Sequence, residues 1–271
     1  MSGAKPELAV LTRPEGRNEA LAARLRQAGW QVLVQPALRI EALDPPELPH
    51  PRDYDLVVLV SGNAARLYFS CLRRRYGGFV WPQATAAAVV GAASAAAVQA
   101  QPGWNRRAAL VSPLPQALNH DSEALWQAMQ AGGLRPQRVL LVRGEHGRDW
   151  LAQRLAGQGA RVQTLALYRR LPQSWPQSTL LRLRQAAQAQ QPAAWLITSA
   201  EGLAAVREQA RARGLAQWLA GCPAVVTHPR LAPLWQAGPA DTFRNDARAK
   251  AMVKICLPEE GALARGFAAL R

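Results

Sequence analysis

One ordered set of segments occurs twice along this 271-residue chain, and that duplication limits the fold more than any other feature of the sequence. The first segment begins with the apolar run Leu8 to Leu11 and the turn Thr12-Arg13. A helix-patterned stretch from Leu21, a glycine at 29 and a second apolar run from Gln31 complete it. It returns as Val139 to Val142, Arg143-Gly144, the stretch from Leu151, Gly159 and the run from Arg161, with Arg143 standing 130 positions after Arg13. A second segment, Leu56 to Val60 followed by Ser61-Gly62-Asn63, is echoed by Ala194 to Ile197 with Thr198-Ser199, at an offset of 137 between Gly62 and Ser199. A third, Ala86 to Val90 with Gly91-Ala92, is echoed by Pro223 to Val226 with Thr227-His228.

Apolar runs of four or five residues without alternation suit strands buried on both faces of a parallel sheet. Their regular exchange with amphipathic helices predicts an α/β protein of two similar, doubly wound parallel-sheet domains. The length suits two such domains. Asp44 to Arg52 and Leu110 to Asp121 read as loops, and Thr179 to Gln190 as an exposed helix capped by Ser178. Val253 to Leu257 reads as a last strand, with Pro258-Glu259-Glu260 opening a helix.

In this class of fold, ligands sit where strands end and helices begin. Every repeated segment ends its strand there in small, hydroxylated or basic residues: Thr12-Arg13, Ser61-Gly62-Asn63, Gly91-Ala92, Arg143-Gly144, Thr198-Ser199 and Thr227-His228. Such turns offer unpaired N–H groups to anions. The same residue types also serve simply as helix caps, and both readings stand at this level. Tyr168, in Leu165-Ala-Leu-Tyr-Arg-Arg170 just after a strand, could donate a proton, with Arg169 or Arg170 holding a carboxylate. It could equally be a tyrosine that only packs its ring.

Several function classes are excluded. There is no dinucleotide fingerprint or P-loop, because Gly144-Glu145-His146-Gly147-Arg148 lacks the glycine spacing and no G-K-[ST] occurs. The four histidines (His50, His120, His146, His228) have no companions at metal-ligand spacing, and no nucleophile elbow is present, so neither a cofactor nor a metal is expected. Cys71, Cys222 and Cys256 are too few and too dispersed for a disulfide framework, which fits a reducing compartment. No signal core or membrane span is expected, and a cytoplasmic protein follows. The 33 Lys and Arg exceed the 18 Asp and Glu, for a formal charge of +15, and point to an anionic partner or a solvated basic surface. The arginines are scattered, and Arg73-Arg74-Arg75 and Arg106-Arg107 lack interleaved aromatics, which argues against nucleic acid.

Taken in order, Thr12-Arg13-Pro14, Tyr54-Asp55, Ser61-Gly62-Asn63-Ala64, Val90-Gly91, Asp121-Ser122-Glu123, Arg143-Gly144-Glu145, Gly147-Arg148, Leu167-Tyr168-Arg169-Arg170, Thr198-Ser199 and Thr227-His228-Pro229-Arg230 resemble the uroporphyrinogen-III synthase family from Leu8 to about Gly238. The resemblance implies two α/β domains joined by a two-stranded connection, with residues 1–37 plus 172–271 in one and 38–171 in the other. The crossovers would lie near Pro36 to Glu41 and Leu167 to Gln173. It implies a cofactor-free, monomeric enzyme that closes the linear tetrapyrrole hydroxymethylbilane into uroporphyrinogen III. Water is lost, an azafulvene and a spiro intermediate form, and the last pyrrole is inverted. Hydroxymethylbilane synthase, which acts upstream, becomes a candidate partner. Tyr168 becomes the candidate acid. The candidate substrate ligands are Thr12, Arg13, Ser61, Gly62, Asn63, Gly91, Arg143, Gly144, Gly147, Arg148, Thr198, Ser199, Thr227 and His228. The chain departs from the family at Val60, where a threonine is usual, and at Gly91-Ala92-Ala93, which lacks the common proline. Two rival readings are a two-lobed, non-enzymatic anion-binding protein and a basic nucleic-acid-binding module.

Overall fold

The computed structural model describes residues 5–113, 122–237 and 251–271. Along the chain run β1 (Leu8–Leu11), α1 (Glu19–Gln27), β2 (Gln31–Val34), β3 (Leu38–Ala42), β4 (Leu56–Leu59), α2 (Gly62–Tyr76), β5 (Ala86–Val89) and α3 (Ala92–Gln99). Then come β6 (Leu110–Val111), α4 (Ser122–Ala131), β7 (Arg138–Gly144), α5 (Trp150–Gly157), β8 (Arg161–Pro172) and α6 (Gln177–Gln188). The remaining elements are β9 (Ala193–Ile197), α7 (Ala200–Arg211), α8 (Ala216–Ala220), β10 (Ala224–Val226), α9 (Leu231–Gln236), β11 (Val253–Ile255) and α10 (Glu260–Ala268).

These elements form two compact units, Met1–Arg39 with Leu171–Arg271, and Ile40–Arg170. The first holds a five-stranded sheet in the order β2-β1-β9-β10-β11, all parallel. The second is built on a six-stranded sheet, β3-β8-β7-β4-β5-β6, parallel from β8 to β6. Strand β3 runs antiparallel to β8, since Gln173 N–H donates to Ala37 O and Leu43 N–H to Leu167 O, each at 2.9 Å. Both passages of the chain from unit to unit fall within this strand pair.

The duplication is visible in the register. Leu8 pairs with Gln31 and Arg138 with Arg161, the same step in both copies. Each sheet joins the first segment of one copy to the second and third segments of the other. For the second segment the structural offset is 138, not 137, because Ser61 and Ser199 are the matched residues. Each accepts an N–H three residues on, from Ala64 at 3.1 Å and from Gly202 at 3.0 Å.

Strand burial explains the continuous apolar runs. In the first unit Val10, Trp195 and Val226 pack on one face of the sheet, with Ala9, Leu11, Leu196 and Val225 on the other. In the second unit Val57, Leu59, Leu140 and Val142 oppose Leu56, Val58, Val139 and Leu141. A strand covered by helices on both sides has no solvent face to hold polar residues, so its sequence does not alternate.

Four readings of the sequence need correction. Helix α6 begins at Gln177 with Pro176 at its N-cap, so Ser178 lies inside the first turn. Strand β8 runs twelve residues to Pro172, which puts Tyr168 within it rather than after it. The span from Leu110 opens with a two-residue strand, and Asp121 lies outside the described residues. Strand β11 ends at Ile255, two residues short of Leu257. Among the described residues no helix is long and apolar enough to cross a membrane.

Candidate functional site

In the second unit the site is assembled where β4, β7 and β8 meet. The β7–β8 ladder runs in step from Arg138↔Arg161 to Arg143↔Ala166, then slips so that Gly144 faces Tyr168. The extra residue lets two successive side chains, Leu167 and Tyr168, both be buried, at 0% and 3% exposure. A bulge of this kind re-aims a side chain, and here it turns the phenol toward the end of β4. There the Tyr168 hydroxyl lies 3.0 Å from Ser61 Oγ. Gly144 makes room for the ring, since a Cβ at that position would stand 2.8 Å from Tyr168 Cε2.

Arg143, 6% exposed, is the penultimate residue of β7. Its Nη1 donates to Asp149 Oδ1 at 2.6 Å. Its guanidinium lies against Gly147, where a Cβ would come within 2.5 Å of Nη2. Arg148 makes a two-pronged pair with Glu123, at 2.6 and 2.9 Å. Beside them lies a pocket of about 190 Å³ lined by Ser61, Ser122, Arg143, Gly144, His146, Gly147, Arg148, Tyr168 and Arg170, with Val60, Leu141 and Leu151 as its apolar wall. Of the two arginines that could accompany the tyrosine, Arg170 lines this pocket while Arg169 pairs with Glu41. The sequence-predicted residues Ser61, Arg143, Gly144, Gly147, Arg148 and Tyr168 are therefore gathered in one place. Gly62, Asn63 and Gly91 are not part of the lining. Asn63 accepts from Arg66, and Gly91 is a buried N-cap for α3 without a side-chain bond.

The first unit presents its own row of turns. Thr12, 6% exposed, donates through Oγ1 to Leu196 O and so ties the end of β1 to β9. Arg13, 8% exposed, pairs with Glu260 at 2.9 Å, and its Nε is buried with no partner among the described residues. Ser199 caps α7, with half-buried Thr198 just before it. Half-buried Thr227 donates its N–H to Ile197 O at 3.3 Å. Exposed His228 accepts the Arg230 N–H on Nδ1 at 3.1 Å. Ser61 and Ser199 thus do act as helix caps.

The sequence pattern does not mark Glu260, Asp149, Ser122 or His146 as site residues. Glu260 stands 247 positions from Arg13, so no local pattern could pair them. Asp149 did carry a signal: it immediately precedes the repeated helix and follows Gly147-Arg148. No group of three or more His, Cys, Asp or Glu suited to a metal ion occurs among the described residues.

A family model described as uroporphyrinogen-III synthase HemD matches residues 19–237. The uroporphyrinogen-III synthase of Salmonella typhimurium is 28% identical over 264 residues, which cover 90% of this chain and 98% of that one. A crystal structure of a mutant uroporphyrinogen III synthase from the extremely thermophilic bacterium Thermus thermophilus superposes with a TM-score of 0.56, at 19% identity over 97% of this chain and 98% of that one. The uroporphyrinogen-III synthetase of Helicobacter pylori 26695 gives a TM-score of 0.55 at 14% identity, over 98% of this chain and 100% of that one. With four-fifths of its length matched by one family and its fold shared with these structures, the chain belongs to the uroporphyrinogen-III synthase family.

Proposed function

We infer that the protein is a uroporphyrinogen-III synthase, which closes hydroxymethylbilane into uroporphyrinogen III with inversion of the last pyrrole. The observation that carries this reading is the Tyr168 hydroxyl, seated in a pocket whose other walls include Arg143, Arg148 and Arg170. A proton donor among fixed cations suits a substrate that loses hydroxide and bears a carboxylate beside the reacting carbon.

Size supports the same assignment. At about 190 Å³ the pocket is smaller than the roughly 300–1,000 Å³ of sites that enclose a drug-sized ligand. It suits one ring's acidic side chain and hydroxymethyl group, not a whole tetrapyrrole. The remaining carboxylates fall to the other turns, and a net charge of +15 draws a polyanion in.

Tyr168 gives its proton to the departing hydroxyl, and the pyrrole nitrogen's lone pair expels water to leave an azafulvene still protonated on nitrogen. Attack at the substituted carbon of the last ring forms the spiro intermediate, which fragments and recloses with that ring inverted. Thr12, Arg13, Thr198, Ser199, Thr227 and His228, with Gly62, Asn63 and Gly91, offer further contacts that hold the flexible substrate in one shape. Restricting that freedom supplies most of the advantage over unguided closure. The reading includes a cytoplasmic monomer that needs no cofactor and receives its substrate from hydroxymethylbilane synthase. Three free cysteines are in keeping with a reducing compartment.

The test is to feed freshly made hydroxymethylbilane to the purified protein and separate the ring isomers. Type III product without added cofactor is expected; the spontaneous type I ring alone would overturn the assignment.

A further inference from the structure

We propose that Ser61 is a positioning residue for Tyr168 rather than a substrate ligand, and that residue 144 is glycine so that the phenol can be seated beside it. This rests on Tyr168 being the acid of the reading above.

A serine oxygen accepts two hydrogen bonds and donates one. Ser61 Oγ already accepts the Ala64 N–H at 3.1 Å, which fixes its rotamer at the head of α2. Its one proton can go to the Tyr168 oxygen, 3.0 Å away, or to a ligand. When Ser61 donates to the phenol oxygen, the phenol's own proton has no other acceptor among the described residues and turns to the pocket. The tyrosine O–H bond then breaks as the substrate C–O bond breaks, and the electron pair of that bond leaves with the proton as water. The phenolate that remains keeps the Ser61 hydrogen bond. It recovers a proton when the attacking ring restores its aromaticity. Were Tyr168 to donate to Ser61 instead, its proton would be turned away from the substrate.

The duplicated half supplies an internal control. Ser199 makes the same cap with Gly202, so capping needs no tyrosine. The residues 130 positions before Gly144 and Tyr168 are Pro14 and Leu38, and the phenol and its glycine seat are missing together. At 144 the clearance is tight, since a Cβ would also stand 3.1 Å from Tyr168 Cζ and 3.3 Å from its carbonyl oxygen. The ring is buried against the core and cannot retreat without displacing it.

The experiment measures kcat, KM and the type III to type I ratio for wild type, S61A, S61T, Y168F, G144A and the S61A/Y168F double variant, with circular dichroism confirming the fold of each. S61A is expected to lower kcat about tenfold, the worth of one hydrogen bond, with KM nearly unchanged. In the Y168F background the same change should cost less than twofold, and S61T should recover most of the rate. G144A should slow the reaction about as much as Y168F. If S61A costs as much in the Y168F background as in the wild-type one, or acts on KM alone, Ser61 binds substrate and the positioning role is overturned. A G144A protein at full rate removes the seat. Full rate in Y168F with type III product removes acid and positioning role together but leaves the synthase, whereas type I product alone from wild type sinks the enzyme reading itself.

Discussion

Arg13 and Arg143 occupy equivalent places in the two copies, and each is buried and answered by a carboxylate. Removing that carboxylate leaves a guanidinium charge unmatched, which costs about 3–5 kcal/mol when the pair is fully buried. Glu260 is 34% exposed, so the cost of Glu260→Gln should be about 1–2 kcal/mol in urea unfolding, while the exposed pair Glu208–Arg211 should yield under about 0.5 for Glu208→Gln. Equal losses would mean that burial does not govern the strength of these pairs. Asp55 gives a pH prediction. Its carboxylate takes the backbone N–H groups of Arg138 and Gln137 at 2.9 and 2.8 Å. The Arg138 N–H is the main reason its pKa lies below the ordinary 3.8, with smaller help from Gln137 and the Arg138 side chain against partial desolvation. A depressed pKa stabilises the folded chain fully above the unfolded value, and that contribution is lost as pH falls through the folded value. The stability gap between wild type and Asp55→Asn should therefore be constant near neutrality and close below about pH 4; a gap unchanged down to pH 2 would contradict it.

At the scale of single elements, two glycines two residues apart at the end of α5 should respond oppositely to alanine. Gly159 follows the helix at φ +90°, a left-handed conformation, and nothing lies within 4 Å of its would-be Cβ. Gly157 is the last residue of the helix, with ordinary φ and equally open space. Gly159→Ala should destabilise by about 1 kcal/mol through backbone strain alone. Gly157→Ala should stabilise by about 0.5 kcal/mol by restricting the unfolded chain. Thermal unfolding of the pair would show the two signs, and a shared sign would refute the backbone argument. The same positions show what was legible beforehand. Helix, glycine and strand repeat at Gly29 and Gly159 because both helices stop in a left-handed residue before the chain turns back, at φ +78° and +90°, a conformation glycine takes without steric cost. The slip between Arg143 and Gly144 left no such trace, since it depends on which residue of β7 faces β8 and not on either strand alone. For the same reason Tyr168 read as following a strand, when the bulge places it inside one.

For the whole chain, apolar runs and their order revealed the α/β class because parallel strands buried on both faces lose their polar alternation. The contact between Arg13 and Glu260 was hidden, as it joins a turn near one end to a helix near the other. Phe267 and Leu263 of α10 pack with Leu21, Leu25 and Trp30, and the Arg271 guanidinium lies 4.1 Å from the centre of the Trp30 ring. Phe267→Ala should cost about 3–4 kcal/mol. Hydrogen exchange should show that loss first in the amides of α1 and β1; unchanged protection there would mean that α10 is dispensable. The interleaving of the two copies also sets a timetable for biosynthesis. Every strand from β4 to β8 has left the ribosome while β1 and β2 still await β9, so the N-terminal strand–helix–strand piece waits longest, with Leu21, Leu25 and Trp30 uncovered. During that interval it is the part of the nascent chain that a chaperone would be expected to hold.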